Sequence, residues 1–292
     1  MGGAPYDNKA GLFMTGEEYD LFRDLISREF GIVMKGDKRL TLHTKLAHRL
    51  SILGLASYRD YYELIVSEPS KEELVSFISH ITNSETYFQR DPARMTLFPG
   101  LLNDVKRCRQ EKDRQAITVL SAGCSSGEEV YTLNIMLLES GLFAWGWDVR
   151  VIGVDVNAVA LKKAESGIYT KNSFRLLNGN EEFSRKYFDR RGDLYILRKP
   201  YRANVEFIRG NILRPEAFEG IGIVDVIFCR NVFIYMSDET VERVVGNFYH
   251  HLSDDGYLFI GSSESLLNKT DLFVSEYREG NIVYRKNSSL SG

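Results

Sequence analysis

The chain has 292 residues, 43% hydrophobic and 26% charged, with a net charge of −3 at pH 7. That is the composition of an ordinary globular protein of one large or two modest domains. It argues against a polycationic nucleic-acid binder, a membrane-inserted chain, which would need a run of roughly 18 apolar residues, and a disulfide or zinc framework, since Cys108, Cys124 and Cys229 are odd in number and far apart. The opening stretch lacks an apolar signal core, so the expectation is a cytoplasmic protein with reduced thiols.

Residues 1–14 are expected to be disordered and 15–81 to form an all-helical domain. Thr15 with Glu18 makes a capping box that opens a helix through Phe30, and Gly31 stops it. A second helix is expected from about Asp37 to Leu53, ended by Gly54. Ser57 with Asp60 caps a third, and Ser70 with Glu73 a fourth. The second helix is basic: Lys35, Lys38, Arg39, Lys45 and Arg49, with His43 and His48, are opposed only by Asp37. Lys38, Lys45 and Arg49 roughly share a face. Such a face is either solvated or a dock for an acidic helical partner.

Residues 82–100 read as a linker, yet the stretch 82–91 is aromatic and polar rather than rich in glycine and proline. It reads as a segment packed across an active site. Arg90 within it suits a carboxylate, which a guanidinium can grip with two parallel bonds; alone, it also fits a surface arginine.

From 101 to 292 a second domain is expected. Strand candidates at 116–121, 149–155, 205–210, 224–229 and 257–261 alternate with helix candidates at 128–138, 158–166 and 238–252. That alternation is the mark of an α/β, doubly wound, mostly parallel sheet. Runs at 272–277 and 281–286 flank Arg278-Glu279-Gly280, a hairpin signal, and an antiparallel hairpin closing such a sheet is typical of Rossmann-like methyltransferases. Between about 171 and 204 the alternation breaks, which reads as a small inserted β-subdomain.

The stretch Ser121-Ala122-Gly123-Cys124-Ser125-Ser126-Gly127-Glu128-Glu129 joins a strand to a helix, as a nucleotide-binding turn does. It lacks the Gly-Lys-Ser/Thr of a phosphate loop and the spacing of a dinucleotide fingerprint. Acids at the helix start repel phosphate and welcome an amine, which points to S-adenosylmethionine. Alone, the loop fits an ordinary turn equally well. Asp155 ends the second strand, where two carboxylate oxygens can take two ribose hydroxyls; the residue two positions on is the neutral Asn157. Asn211 and Ile212, after the third strand, are placed to read an adenine edge, though an Asn in a turn is common. The buried run 224–228 stops abruptly at Cys229-Arg230-Asn231-Val232-Phe233-Ile234-Tyr235, at the strand end where open sheets bind ligands.

Taken together, the stretches 82–91, 121–129 and 225–235, with Gly261-Ser262-Ser263-Glu264, resemble those of the CheR-type chemoreceptor glutamate O-methyltransferases, over about residues 15–286. The resemblance implies a Rossmann-like class I methyltransferase sheet behind an N-terminal all-helical domain. It implies S-adenosylmethionine as cofactor, S-adenosylhomocysteine as product and no metal. Cofactor contacts would come from Ser84, Thr86, Arg90, Glu129, Asp155, Asn211, Ile212, Arg230 and Asn231. Ser84 stands where the family generally has Asn, and Gln89 where it has Phe. Arg90 and Tyr235 would be catalytic, beside the methyl being transferred. The partner would be the cytoplasmic helical domain of chemoreceptors, with Lys38, Arg39, Lys45 and Arg49 as substrate-binding residues. Some members grip a receptor pentapeptide through a longer glycine-containing loop; here the loop 189–193 is short, so independence of that tether is expected. A monomer is expected, since no heptad or exposed apolar helix is evident. The alternatives are a methyltransferase of this fold with another substrate and a non-catalytic sensor of the cofactor.

Overall fold

The structure is a computed structural model and describes residues 13–69, 71–82, 85–175 and 181–290. The chain forms two compact units, Met1–Thr82 and Asn83–Gly292. Among the described residues no helix is long and apolar enough to cross a membrane.

Among the described residues the first unit forms four helices, α1 (Gly16–Phe30), α2 (Arg39–Leu53), α3 (Tyr58–Ser67) and α4 (Glu72–Ile81). The capping box is formed: the Thr15 hydroxyl accepts the Glu18 amide at 3.2 Å and Glu18 accepts the Thr15 amide at 2.8 Å. Gly31 ends α1 in the left-handed region, φ 65°. The helix α2 starts two residues later than expected, because Asp37 stays outside and its carboxylate accepts the Arg39 amide at 2.9 Å. Ser57 caps α3. Ser70 lies outside the described residues; the orphan amide of Glu73 in α4 is taken by Glu68 Oε2 at 2.7 Å. Phe22, Tyr58, Tyr61 and Phe77 are buried and pack ring against ring as the core.

The second unit begins with helices α5 (Pro92–Met95) and α6 (Leu97–Glu111), which the sequence reading leaves without an element. Pro99 and Gly100 obscure α6, but they fall in its first turn, where a missing amide breaks no intrahelical bond. There follow β1 (Ala116–Ala122), α7 (Glu128–Glu139), β2 (Asp148–Asp155), α8 (Ala158–Ser166), β3 (Ile168–Thr170), α9 (Glu181–Tyr187), β4 (Phe188–Arg191), β5 (Leu194–Leu197), β6 (Val205–Arg209), β7 (Val224–Cys229), α10 (Asp238–His251), β8 (Leu252–Ile260), β9 (Phe273–Arg278) and β10 (Asn281–Lys286). The main sheet runs β6-β2-β1-β7-β8-β10-β9. Its first five strands are parallel, and β10 alone is reversed, pairing antiparallel with β8 on one side and β9 on the other. Strand order reverses at β1, and it is there that the carboxyl ends of parallel strands leave a crevice.

Three local features shape this sheet. Glu279 and Gly280, at φ 46° and 79°, make the two-residue hairpin turn that matches strand twist. The strand β8 starts five residues before the expected Tyr257, because the chain loops out between Leu252 and Tyr257, which pair with Val224 and Val226. Asp225, inside a strand buried along its whole length, spends one oxygen on the Thr118 amide at 2.8 Å and the other on Arg109 of α6. The charge is thus paired and hydrogen-bonded, the condition under which a core tolerates one. A second sheet, β3-β5-β4, is antiparallel and packs Phe88, Tyr169, Phe183 and Phe188 into its own aromatic cluster.

Candidate active site

The crevice is built on the turn after β1. Gly123 and Gly127 sit at φ 79° and 85°. A Cβ on Gly123 would lie 2.6 Å from Val232 Cγ2, and one on Gly127 2.8 Å from Ala164 Cβ. Both positions therefore require glycine for shape as well as space. The amides of Gly123 and Cys124 donate to the Val154 carbonyl at 2.8 and 3.1 Å, pinning the turn to the end of β2.

At that end Asp155 receives the Ser125 amide on Oδ2 and the Asn157 amide on Oδ1, both at 2.8 Å. Burial raises the pKa of its carboxyl, against the pull of these amides. Asn157, where a second acid would have strengthened the sequence argument, caps α8 instead, accepting the amides of Val159 and Ala160 at 3.0 and 2.9 Å. A neutral Asn with two short acceptor bonds is what a helix start prefers.

The two adjacent glutamates separate. Glu128 is 1% exposed and accepts from the Ser126 and Ser173 hydroxyls at 2.7 and 2.8 Å. It lines a polar cleft of about 230 Å³ with Thr86, Lys163, Asn172 and Arg175. Glu129 is held between the Ser121 hydroxyl at 2.7 Å and Arg230 Nη1 at 2.9 Å. The Arg230 side chain, 1% exposed, also donates through Nη2 to the Arg90 carbonyl at 2.5 Å and lies 3.8 Å from Asp91. Its Nε is buried without a partner among the described residues. One guanidinium thus ties together the start of α7, the end of β7 and the segment before α5.

That last segment is anchored by Phe88, fully buried against Tyr169, Phe174 and Phe188. Beyond the anchor, Gln89 and Asp91 adopt left-handed conformations. Arg90 folds back to donate to the Glu85 carbonyl at 3.0 Å and lies over the Tyr87 ring. The Thr86 carbonyl accepts from Arg175 at 3.3 Å. Ser84 lies outside the described residues. After β6, the Gly210 amide donates to the Asp155 carbonyl at 3.0 Å, placing Asn211 beside the end of β2. Asn211 Oδ1 accepts the Leu213 amide at 3.1 Å, and Ile212 is buried. Asn231 stands at φ 60°, and Tyr235, in the 3-10 turn Phe233–Tyr235, is 42% exposed.

So Thr86, Arg90, Glu129, Asp155, Asn211, Ile212, Arg230, Asn231 and Tyr235 all lie on segments that this unit draws to the carboxyl ends of β1, β2, β6 and β7. The sequence reading quotes Ser121, Asp91 and Glu264 only as members of its motif stretches and gives none of them a role. The basic residues of α2 are used differently from one another. Arg49 forks onto Glu73, which also receives the Tyr61 hydroxyl at 2.7 Å, and Lys45 donates to the Ile81 carbonyl at 2.8 Å. Burial pulls the Lys45 amine down. Both are spent inside the helical unit, whereas Lys38 and Arg39 stand exposed, Arg39 paired with Asp37. Reversing Arg49 would therefore break a half-buried network, and cannot report on docking alone.

Chemically, the crevice offers a carboxylate at a helix start, a second carboxylate at a strand end and no cation at Asp155 in the bonds described above. It fits a ligand with an ammonium and a pair of hydroxyls, and does not suit a phosphate.

Comparison with known proteins agrees. Residues 17–82 match the family model described as "CheR methyltransferase, all-alpha domain", and 84–279 the one described as "CheR methyltransferase, SAM binding domain". The chain is 31% identical to chemotaxis protein methyltransferase 2 of Vibrio cholerae, covering 96% of each. It is 33% identical to the chemotaxis protein methyltransferase of Klebsiella aerogenes, over 89% of this chain and 86% of that one. It is 30% identical to the probable biofilm formation methyltransferase WspC of Pseudomonas aeruginosa, over 85% of this chain and 57% of that one. Both units match, in the same order, and the crevice fits the ligand the second model is described by. The chain accordingly belongs to the CheR methyltransferase family, S-adenosylmethionine-dependent enzymes with an all-helical domain ahead of the cofactor-binding sheet.

Proposed function

We propose that the protein transfers methyl groups to glutamate side chains on the cytoplasmic helical domain of a chemoreceptor. The observation that carries this reading is that no histidine occurs between His80 and His250, so none of the crevice segments has one, while Arg90 supplies a guanidinium. A carboxylate nucleophile, with a reference pKa near ~4.3, is already ionised at neutral pH and needs no base. It does need to be gripped and aimed.

When bound, S-adenosylmethionine supplies an electrophilic methyl on a sulfonium. The chain's residues divide the remaining work. Glu129, braced by Ser121 and Arg230, accepts from the ammonium, and Asp155 accepts from the ribose hydroxyls. Asn211 and Ile212 border the adenine, and Thr86, Ser84 and Asn231 complete the contacts. Arg90 orients a carboxylate, and Tyr235 positions the reacting groups. The relatives' names, chemotaxis protein methyltransferases, support the receptor as partner. Lys38 and Arg39, exposed on the helical unit, are the residues proposed to meet its acidic helix. The short turn 189–193 favours recognition without a pentapeptide tether, by a monomer in the cytoplasm.

The test is transfer of labelled methyl to a purified chemoreceptor signalling fragment, made with and without a terminal pentapeptide. Expected is alkali-labile label on glutamate, released as methanol, at equal rates on both fragments and more slowly from K38E/R39E. Alkali-stable label would move the activity to another acceptor, and a strong preference for the longer fragment would overturn the tether-free reading.

Tyr235→Phe separates positioning from binding. Removing one exposed hydroxyl is expected to lower kcat by about 10- to 100-fold and to leave cofactor affinity within about twofold. Calorimetry and single-turnover rates check this; an equal loss in both would place Tyr235 among the cofactor contacts.

A further inference from the structure

The segment leaving β7 has an unusual shape. Asn231 is left-handed at φ 60° and the chain then tightens into the turn Phe233–Tyr235. A left-handed non-glycine residue persists where its surroundings over-determine it. Here one side chain does so. Glu264 Oε2 accepts the Asn231 amide at 3.0 Å and Oε1 the Ile234 amide at 3.2 Å. Its Oε2 also accepts the Gly261 amide at 2.5 Å. Three backbone donors around one carboxylate are an anion nest, and each bond is charge-assisted.

The seat is shaped for that carboxylate. A Cβ on Gly261 would lie 2.5 Å from Glu264 Oε2 and 3.0 Å from the Asn231 amide. The strands feeding the two segments are neighbours, with Cys229 paired to Ile260. Glu264 thus stitches together the turns that leave two adjacent parallel strands.

We propose that Glu264 is a positioning residue of the methyl-transfer site, holding Asn231 and the turn that carries Tyr235 in their working shape without touching either reactant. The proposal rests on the reading of Asn231 and Tyr235 given under the function above. Glutamine in its place keeps the volume but turns an NH2 group on at least one of the three amides, so the nest opens. The alanine variant of Gly261 reaches the same end from the other side, by pushing the carboxylate off its seat.

The experiment is steady-state kinetics and cofactor titration on E264Q, G261A, the double variant, N231A and Y235F, with each variant's melting temperature recorded. E264Q and G261A are each expected to lose on the order of 100-fold in kcat/KM, the scale of an ångström-sized misplacement. The double variant is expected to be no worse than the worse single, because both remove one device. Lower melting temperature with unchanged kinetics in E264Q would make Glu264 merely structural and overturn the proposal. So would unchanged kinetics in E264Q beside losses in N231A and Y235F. If N231A and Y235F are also unimpaired, the underlying site reading falls instead. Should E264Q fail to fold, G261A and the comparison with N231A decide.

Discussion

Arg230→Ala is expected to abolish activity and cofactor binding together and to destabilise the second unit by about 3–5 kcal/mol, the scale of breaking a buried charge pair by removing one partner. The reason is that its guanidinium does several jobs at once. Nη1 holds Glu129 at 2.9 Å and Nη2 holds the Arg90 carbonyl. With the side chain only 1% exposed, no water readily replaces either bond. Glu129 would keep only the Ser121 hydroxyl, and the segment carrying Arg90 would lose one of its ties to the sheet, keeping the Phe88 anchor and the Arg94 bond to the Ile260 carbonyl. Lysine should not rescue. One ammonium cannot span two acceptors that a rigid planar fork reaches at fixed angles. Thermal melts, cofactor titration and turnover on R230A and R230K give the answer. Normal cofactor affinity in R230K would mean that charge alone matters at this position. Normal turnover in R230A would remove it from the site.

Asp155→Ala is expected to weaken cofactor binding by at least about 100-fold, since hydrogen bonds to a charged group are worth about 1.5–3 kcal/mol each and two are lost. The pH dependence carries a sign that can be checked. Burial raises the Asp155 pKa in the folded protein. The native state therefore holds this proton more tightly than the unfolded chain. Ionisation costs the ligand-free protein stability at neutral pH, and that cost disappears as pH falls through the raised value, being gone below the unfolded value near ~3.9. Binding runs the other way, because two hydroxyl donors need the ionised acceptor. Cofactor affinity should fall on acidification with a midpoint above the value of an unperturbed aspartate, and Asp155→Asn should lose that step. Calorimetric titration across pH checks both; the same acid step in Asp155→Asn would assign it to another group.

Much of this was legible in the chain because the signals are local. The Thr15–Glu18 capping box, the left-handed Gly31 and the hairpin at Glu279-Gly280 are each decided within a few residues. The alternating buried strands and amphipathic helices foretell a parallel sheet, and the sheet's topology places the crevice at its carboxyl ends. The helix α6 escaped because Pro99 and Gly100 carry low helix propensity wherever they stand, and only their place in the first turn makes them harmless.

What only the tertiary structure decided is which like residues serve the crevice and which serve the fold. Glu128 and Glu129 are neighbours of one kind, yet α7 turns one inward to Ser173 and the other toward Arg230. Arg39 and Arg49 share a helix, yet only Arg49 meets Glu73. Arg230 reads in sequence as a ligand contact, and in space it is the brace behind Glu129 and Arg90. Asn157 is a cap, and Glu264, 33 residues from Asn231, is its clamp. By itself the sequence determined the fold class, the order of the main-sheet strands and the segments that reach the crevice, because periodicity, caps and turn residues act over short range. Partners were left to the folded chain, because a side chain's bond depends on direction and burial, and those exist only once distant segments have packed.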